Sequence, residues 1–569
     1  MSTVTGGELL LRALQAEGIT QMFGILDGSF NPFLAKLDDY GIRFINTRHE
    51  AAAAHMADAY ARISGQPAVA IGGIGPGAAN MLSGVITAYA EGSPVIAISG
   101  QRRTPIIYPD RGGSFQNVAL LDLYGPVTKW AGGVRHWHRL PEMVRHAFRA
   151  ALAGRPGPVY LEIPEDIMRG TGEADDVSIW EPRHYRPGRP GGGDPEAIRR
   201  AATLLCEARR PHLHAGGGLS WACAGDDFLA LADHLAATLT TSLGARGVVP
   251  EDHPRYLAPL NRAGLETVRR EADVVLVVGS RVGELDTWGK APSWGAPGTQ
   301  KVIHVDIDPL SIGLNRPVDV AITGDAAAVL PALLEAVRSR ADSSLTPVHT
   351  FEQLQSFQRK WQQQLDGAVA GDQLNPGQVV RAVRAFFPRE AITVLDGGNT
   401  TIWGVCYNPI YRPRSFLYTA HFGHLGTGLP YALGAKMAAP DRPVYLISGD
   451  GAIGFNLQEL ETARRYNLPV IVVVIFDRGW GMERSSQMFA RMGGMVETEL
   501  FPGARYDKVA EAFGCHGALV TSLDELQPAL QAAVDSGLPA LIQVMIEPGA
   551  NLAPPGLMDF GNLVYRGTD

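Results

Sequence analysis

Cysteine is scarce in this chain of 569 residues: only four are present, at Cys206, Cys223, Cys406 and Cys515, with no C-x-x-C pair among them. Such scatter excludes a zinc cluster of ordinary spacing and a disulfide framework, and it suits a reducing compartment. Positive charge is not in excess either, since 50 Lys and Arg against 58 Asp and Glu leave a formal net charge of −8. A nucleic-acid footprint is basic, so nucleic acid is not an expected partner; an acidic balance of this kind serves solubility. Long apolar runs are missing too. Val274–Val278 and Val472–Phe476 are short and bounded by Gly, Asp or Arg, which marks them as buried strands rather than membrane spans. Residues Met1 to Glu8 carry no basic stretch followed by an apolar one. No signal peptide is expected, and the expected location is cytoplasmic, off the membrane.

What is present is an alternation of helical and strand patterns. Glu8–Glu17 has helical spacing, Met22–Gly24 reads as a strand, Ala51–Ala61 as a small-residue helix, Ala68–Ile74 as a strand, Ala79–Ala90 as a helix and Val95–Ser99 as a strand. Such alternation predicts the α/β class, with doubly wound parallel sheets covered by helices. The length exceeds what one core supports, and the Pro/Gly/Arg-rich stretch Arg186–Gly193 reads as a linker. A second break is expected near Ser343–Thr346, before a helical segment Phe351–Leu365. Three domains follow, at residues 1–185, 194–341 and 370–550, with a tail at 551–569 that is either a lid or a frayed terminus. No short repeat is apparent. The middle block holds Asp273–Asp286 (DVVLVVGSRVGELD) and Lys301–Pro309 (KVIHVDIDP), strand–Gly–acid patterns without a G-x-G-x-x-G. It is either a domain with no working cofactor of its own or a platform for a nucleotide or coenzyme A.

The richest stretch is Arg442–Arg484 (RPVYLISGDGAIGFNLQELETARRYNLPVIVVVIFDRGWGMER). A strand, Val444–Ile447, delivers Gly449-Asp450-Gly451; a helical segment, Leu457–Arg465, follows; a second strand, Val470–Ile475, leads to Asp477. Two acids thus stand at the C-terminal ends of parallel strands, the edge where open α/β sheets bind ligands. Carboxylates and a loop carbonyl are hard oxygen donors suited to magnesium shared with phosphate oxygens. The glycines permit close backbone approach, and free helix-start amides favour an anion.

This segment resembles the diphosphate–metal motif of the thiamine diphosphate enzymes related to acetolactate synthase, 2-oxo acid decarboxylases and 2-hydroxyacyl-CoA lyases. The resemblance spans nearly the whole chain. It implies magnesium held by Asp450, Asp477 and the carbonyl of Gly479, with Asp477 standing where those enzymes carry asparagine. It further implies a pyrimidine-binding first domain, a central domain and a diphosphate-binding third domain. Asn46–Arg62 (NTRHEAAAAHMADAYAR) resembles the segment whose glutamate, here Glu50, shares a proton with the cofactor aminopyrimidine; a carboxyl in an apolar pocket can keep its proton near neutrality. Gly73–Gly100 and Pro158–Asp166 resemble the core and closing strand of the first domain. Asp396–Thr400 (DGGNT) resembles the loop that meets the diphosphate, which implicates Asn399 and Thr400. His421–Pro430 (HFGHLGTGLP) resembles the segment beside the ring, with the Gly423 carbonyl facing the amine and Leu425 as the wedge that bends the cofactor. Gly449, Gly451, Ala452 and Met482 complete the implied cofactor-binding set. The central domain then becomes a candidate ADP, coenzyme A or vestigial FAD site.

Substrate-facing residues must choose the reaction, because fold does not. Pro109–Trp130 (PDRGGSFQNVALLDLYGPVTKW) resembles the substrate loop of acetolactate synthases and hydroxyacyl-CoA lyases, with Gln116 as the candidate hydrogen-bond donor. Asp27-Gly28-Ser29 borders the same site. Glu483 is the candidate acid–base group, the bland alternative being a solvated helix acid paired with Arg484. His49, His421 and His424 are secondary candidates, and His136 and His138 belong on a surface turn. The DGGNT and PDRGG segments favour a 2-hydroxyacyl-CoA lyase that releases an aldehyde or ketone plus formyl-CoA; the alternative is acetolactate-synthase-like or other 2-oxo acid decarboxylase and carboligase chemistry. A silent regulatory subunit would have little reason to keep Glu50 with both metal acids, and a nicotinamide oxidoreductase would want the glycine fingerprint the central block lacks. Glu50 and Asp450 lie in different blocks, so the cofactor must sit between domains; in such enzymes that cleft lies between subunits, and a homodimer or homotetramer is expected. The remaining expected partner is a small acyl-CoA or 2-oxo acid.

Overall fold

The computed structural model describes residues 3–188, 191–340, 351–559 and 561. Three parallel sheets carry the chain. The first has six strands in the spatial order Arg43–Asn46, Gln21–Gly24, Ala68–Gly72, Val95–Gln101, Val159–Pro164, Ala131–Gly133. The central one has five, Thr238–Thr241, Pro211–Ala215, Val274–Val278, Lys301–Asp306, Val320–Thr323. The third again has six, Phe416–Leu417, Ile392–Asp396, Val444–Gly449, Ile471–Phe476, Ala540–Met545, His516–Val520. A short antiparallel pair, Thr3–Thr5 with Thr171–Glu173, ties the start of the chain to the end of the first domain. The α/β class with three parallel-sheet domains is as expected. Val472–Phe476 is wholly buried, because a parallel strand covered on both faces has no polar side to show.

Element ends shift where turn chemistry overrides pattern. The strand read as Ala68–Ile74 stops at Gly72, since Gly75 takes a positive φ of 61° to open the helix Pro76–Glu91. The helix read from Leu457 begins at Glu459. The linker is irregular on both sides of residues 189 and 190, which with the expected break at 343–346 lie outside the described residues. No described helix is long and apolar enough to cross a membrane.

The first and third domains share one apolar core. Its seam is the helix Glu50–Ser64 against the helix Gly428–Ala438. Small residues let the backbones approach so closely that a Cβ on Gly434 would lie 2.3 Å from the Met56 carbonyl oxygen and 3.0 Å from Ala59 Cβ. Two polar contacts cross between the domains here: the Tyr431 hydroxyl donates to Asp58, and Arg62 Nη2 donates to the Tyr418 carbonyl at 3.1 Å.

Candidate active site

In the third sheet, Asp450 is the first residue of a helical turn, Asp450–Ile453, that starts directly after the strand Val444–Gly449. Asp477 follows the strand Ile471–Phe476. Parallel register sets Gly449 beside Ile475, so both acids leave the sheet at its C-terminal edge. Both are buried, at 1% and 2% exposure, and they lie within hydrogen-bonding reach of each other. Asp450 accepts from the Gly451 amide at 2.9 Å and the Gly479 amide at 3.1 Å. Desolvation, and then the charge on Asp477, push the Asp450 carboxyl well above its usual range. Desolvation raises Asp477 as well, against the pull of Asn551 and Arg484. Two buried carboxylates this close either share a proton or hold a cation.

The segment Arg478–Trp480 bends at Arg478, which takes a positive φ of 65°, and is fastened to its neighbour: Trp480 N–H donates to the Thr498 carbonyl at 2.8 Å and Leu500 N–H to the Arg478 carbonyl at 2.9 Å. A Cβ on Gly479 would lie 2.2 Å from both the Thr498 carbonyl oxygen and Arg484 Nη2, so glycine alone fits there. Among the described residues no three His, Cys, Asp or Glu side chains group to hold a metal. Two carboxylates, a loop carbonyl and ligand oxygens are the set magnesium takes with a phosphate.

Beside the acids, Asn399 opens the helix Asn399–Tyr407 and is buried. Its Nδ2 donates to the carbonyls of Gly481 at 3.1 Å and Asn551 at 2.8 Å and to Ser485 Oγ at 2.9 Å, while its Oδ1 has no protein partner. Ideal Cβ positions on Gly398 and Gly449 fall 2.4 Å from Met482 Cβ and 3.1 Å from Thr400 Oγ1, so Asn399, Thr400, Gly449, Met482 and the acid pair form one cluster. Ala452 is buried within the same turn as Gly451. Gly423 is exposed with φ 65° and Leu425 is half-buried. The loop they belong to is fastened by Asp396, which accepts from the amides of Gly426 at 3.2 Å and Gly428 at 2.9 Å.

In the first domain, Glu50 starts the helix Glu50–Ser64, where the macrodipole favours an acid. It is 9% exposed, and its Oε2 accepts from Asn80 Nδ2 at 3.1 Å. A Cβ on Gly77 would lie 3.1 Å from Glu50 Oε1, one on Gly75 2.3 Å from the Gln116 carbonyl oxygen, and one on Gly73 2.7 Å from Asp27 Oδ2. The Gly73–Gly77 turn therefore gathers Glu50, the Gln116 loop and Asp27 at one edge. Gln116 is exposed, with a positive φ of 60°. Among the described residues no hydrogen bond or ion pair links Glu50 or Gln116 to the acid pair of the same chain.

The alternative reading of Glu483 as a partner of Arg484 needs correction, and three histidine candidates have local partners. Glu483 is exposed on the helix Gly481–Phe489 and does not pair with Arg484, whose guanidinium turns inward to Asp477 and across to Glu499. His49 is spent as a helix cap, its Nδ1 accepting from the Ala51 amide at 3.1 Å. His421 donates its backbone N–H to Glu91 at 2.8 Å, and His424 Nδ1 lies 2.8 Å from the Leu425 carbonyl, so both serve the loop that carries them. His136 and His138 are exposed around a short turn, as expected.

Comparison with known proteins decides the family. Residues 4–123 match the family described as thiamine pyrophosphate enzyme, N-terminal TPP binding domain; residues 198–333 match its central domain and 396–544 its C-terminal TPP binding domain. The chain is 34% identical to a probable acetolactate synthase large subunit of Methanocaldococcus jannaschii, covering 97% of this chain and 94% of that one. It is 33% identical to acetolactate synthase isozyme 2 large subunit of Escherichia coli (97% and 98% covered) and 32% identical to sulfoacetaldehyde acetyltransferase of Alcaligenes xylosoxydans xylosoxydans (95% and 93%). The chain belongs to the thiamine pyrophosphate enzymes.

The enzyme also holds functional-looking residues that sequence reasoning passes over. Asn551 reads in the sequence only as the start of a tail, yet it is 3% exposed and bonded to Asp477. Glu459, wholly buried, accepts the Arg48 amide at 3.0 Å and so holds the strand exit that leads to Glu50. The central domain opens a cavity of about 910 Å³ along the ends of its strands, lined by Gly217, Gly279, Arg281 and Asp306, with Glu91 from the first domain and His421 from the third at its rim.

Proposed function

We propose that this thiamine pyrophosphate enzyme is a carboligase acting on a 2-oxo acid, in the manner of the acetolactate synthases it resembles. The observation that carries this is the buried acid pair Asp450 and Asp477 at the strand ends, with Glu50 buried on the partner domain, in a chain that matches acetolactate synthase large subunits along nearly its whole length. The lyase reading rests on the DGGNT and PDRGG segments alone and takes second place.

Asp450, Asp477 and the Gly479 carbonyl would hold magnesium. Asn399, Thr400, Gly449, Gly451 and Ala452 would meet the diphosphate, and Gly423, Leu425 and Met482 the rings. When bound, the cofactor supplies a carbon nucleophile and an electron sink for carbonyl chemistry. Glu50 would hold the proton that activates the ring, its burial and the Asn80 bond keeping it in place. Gln116 would donate to a substrate oxygen. Glu483, whose carboxyl has no protein partner among the described residues, is free to move a proton at the substrate hydroxyl. Because Glu50 and Asp450 have separate neighbourhoods in one chain, we place the working site between two copies, as a homodimer or a dimer of dimers. Exposed Leu26 and Phe115 on the first domain, and Phe455 and Phe501 on the third, suit such a contact. The central cavity has the volume for a nucleotide-bearing group such as FAD, ADP or coenzyme A.

Incubating the holoenzyme with pyruvate and, separately, with a 2-hydroxyacyl-CoA tests the reading. Carbon dioxide and a coupled product from pyruvate are expected; aldehyde or ketone released only from the thioester overturns it. Sedimentation with cofactor bound should give at least a dimer.

A further inference from the structure

We infer that Asn551 and Arg484 are positioning residues of the metal site, and that they make an aspartate, rather than an asparagine, the residue required at 477. The inference rests on the proposed magnesium role of Asp477. It begins with an amide whose orientation is dictated. The Trp403 indole N–H, which can only donate, lies 3.0 Å from Asn551 Oδ1. The Asn551 oxygen must therefore face Trp403, and its NH2 must face Asp477, whose Oδ2 it meets at 2.8 Å. The Asn551 carbonyl accepts from Asn399 Nδ2 at 2.8 Å, which holds the residue from its backbone as well. Arg484 Nη1 reaches the same Asp477 Oδ2 at 3.4 Å and the Asp477 carbonyl at 2.9 Å. All four side chains, Trp403, Asn551, Asp477 and Arg484, are no more than 3% exposed, so water does not relieve a mismatch.

The slot around Asp477 Oδ2 is thus lined by donors only. A carboxylate satisfies it with one oxygen and keeps the other, Oδ1, free of these donors. An asparagine at this position has a single acceptor. With its oxygen toward the cation, its NH2 faces the NH2 of Asn551; with its oxygen toward Asn551, its NH2 faces the cation. Either arrangement loses a buried partner. Arg484 adds a positive charge behind the extra negative one, which offsets part of the cost of burying two acids together. Gly481 leaves the path open: a Cβ there would lie 2.8 Å from Asn551 Nδ2 and 3.0 Å from Asp477 Oδ2. The segment after the last strand is, on this reading, part of the metal site.

The experiment is a titration of Mg2+ into the full-length protein with thiamine diphosphate, read by calorimetry, for the parent, Asp477→Asn, and the exchange Asp477→Asn with Asn551→Asp. The exchange returns an acceptor to face the introduced amide NH2 and conserves charge. Asp477→Asn is expected to weaken Mg2+ at least about 10-fold, and the exchange to recover to within about 3-fold of the parent. A second rescue, Asp477→Asn with Asn551→Leu, removes the opposing donor without adding charge and should recover part of the loss. Should Asp477→Asn bind Mg2+ as the parent does, or should both rescues, folded by circular dichroism, bind as weakly as Asp477→Asn, the inference falls while the proposed function stands. If the parent itself binds no Mg2+ with the cofactor, the metal role of Asp477 falls with it.

Discussion

The first and third sheets follow the same path. Numbered within each domain, both have the spatial order 2-1-3-4-6-5 with every pair parallel, and the helix after the second strand of one, Glu50–Ser64, packs on its counterpart, Gly428–Ala438. The chemistry placed on this shared frame differs. In the first domain the acid follows strand 2 and stands alone, held by a neutral amide. In the third the acids follow strands 3 and 4, where parallel neighbours bring them together. Topology offers the same C-terminal edge twice; which strands end in a carboxylate decides whether that edge carries one acid or a facing pair.

That contrast is broken most directly by exchanging each acid for its amide. Asp450→Asn should abolish Mg2+-dependent cofactor binding and lower kcat/KM by at least about 10³-fold, since it removes both a ligand and the charge. Glu50→Gln should leave cofactor affinity within a few-fold while kcat falls by about 10²- to 10³-fold, the range for a lost acid–base group. Calorimetry against turnover separates the two. Equal loss of binding in both variants would mean that the two edges do not divide the labour.

The helix seam that joins the two frames gives the next largest effect. Gly434→Ala places a Cβ 2.3 Å from the Met56 carbonyl oxygen, and backbone cannot swing aside as a side chain can. A loss of about 1–3 kcal/mol is expected, seen as a lower Tm with a change in cofactor affinity if the seam sets the loop 421–427. An unchanged Tm would show that the two helices have room to slide.

Much of this is legible in the residues alone. Buried parallel strands announce themselves as apolar runs, and Asp450 and Asp477 announce their edge because Asp477 directly follows Ile471–Phe476 and Asp450 follows Val444–Ile447 after Ser448 and Gly449. The duplicated frame is not legible: Ala51–Ala54 and Gly428–Ala438 are both small-residue stretches, but the strands around them share no sequence pattern, so no repeat is seen. Nor is the inward turn of Arg484. At one position after Glu483 it looks like a solvent pair for that acid, yet adjacent helix positions face different sides, and the burial of Asp477 draws it in. Asn551 lies beyond the last strand, where pattern reading finds only irregular chain.

Burial also sets a pH dependence that tests how the two frames are tied. Desolvation pushes Glu459 up to about 7, outweighing the bonds from Thr462 and the Arg48 amide. A carboxyl raised in the folded state binds its proton more tightly than when unfolded, so its contribution falls as pH rises from about 4.5, the unfolded value, to about 7. Glu459→Gln keeps an acceptor for Arg48 and removes the titration. The fall in unfolding free energy across that window should shrink by up to roughly 3 kcal/mol, measured by denaturant melts at several pH values. An identical slope in the variant would mean that other groups titrate there.

The smallest expected effect concerns Asn80, the amide on the single-acid side. It is exposed on the helix Pro76–Glu91 and gives Glu50 one hydrogen bond at 3.1 Å. Asn80→Ala removes a bond that holds the carboxyl oxygen in place but leaves the carboxyl and its apolar surroundings intact. One such bond is worth about 0.5–1.5 kcal/mol, so kcat should fall by about 2- to 10-fold with Mg2+ affinity unchanged. The two edges are thereby compared at equal scale: loss of the amide beside Glu50 slows turnover and spares the metal, whereas loss of the amide beside Asp477 weakens the metal first. A drop in Mg2+ affinity for Asn80→Ala as large as its drop in kcat would show that the proton edge and the cation edge respond as one.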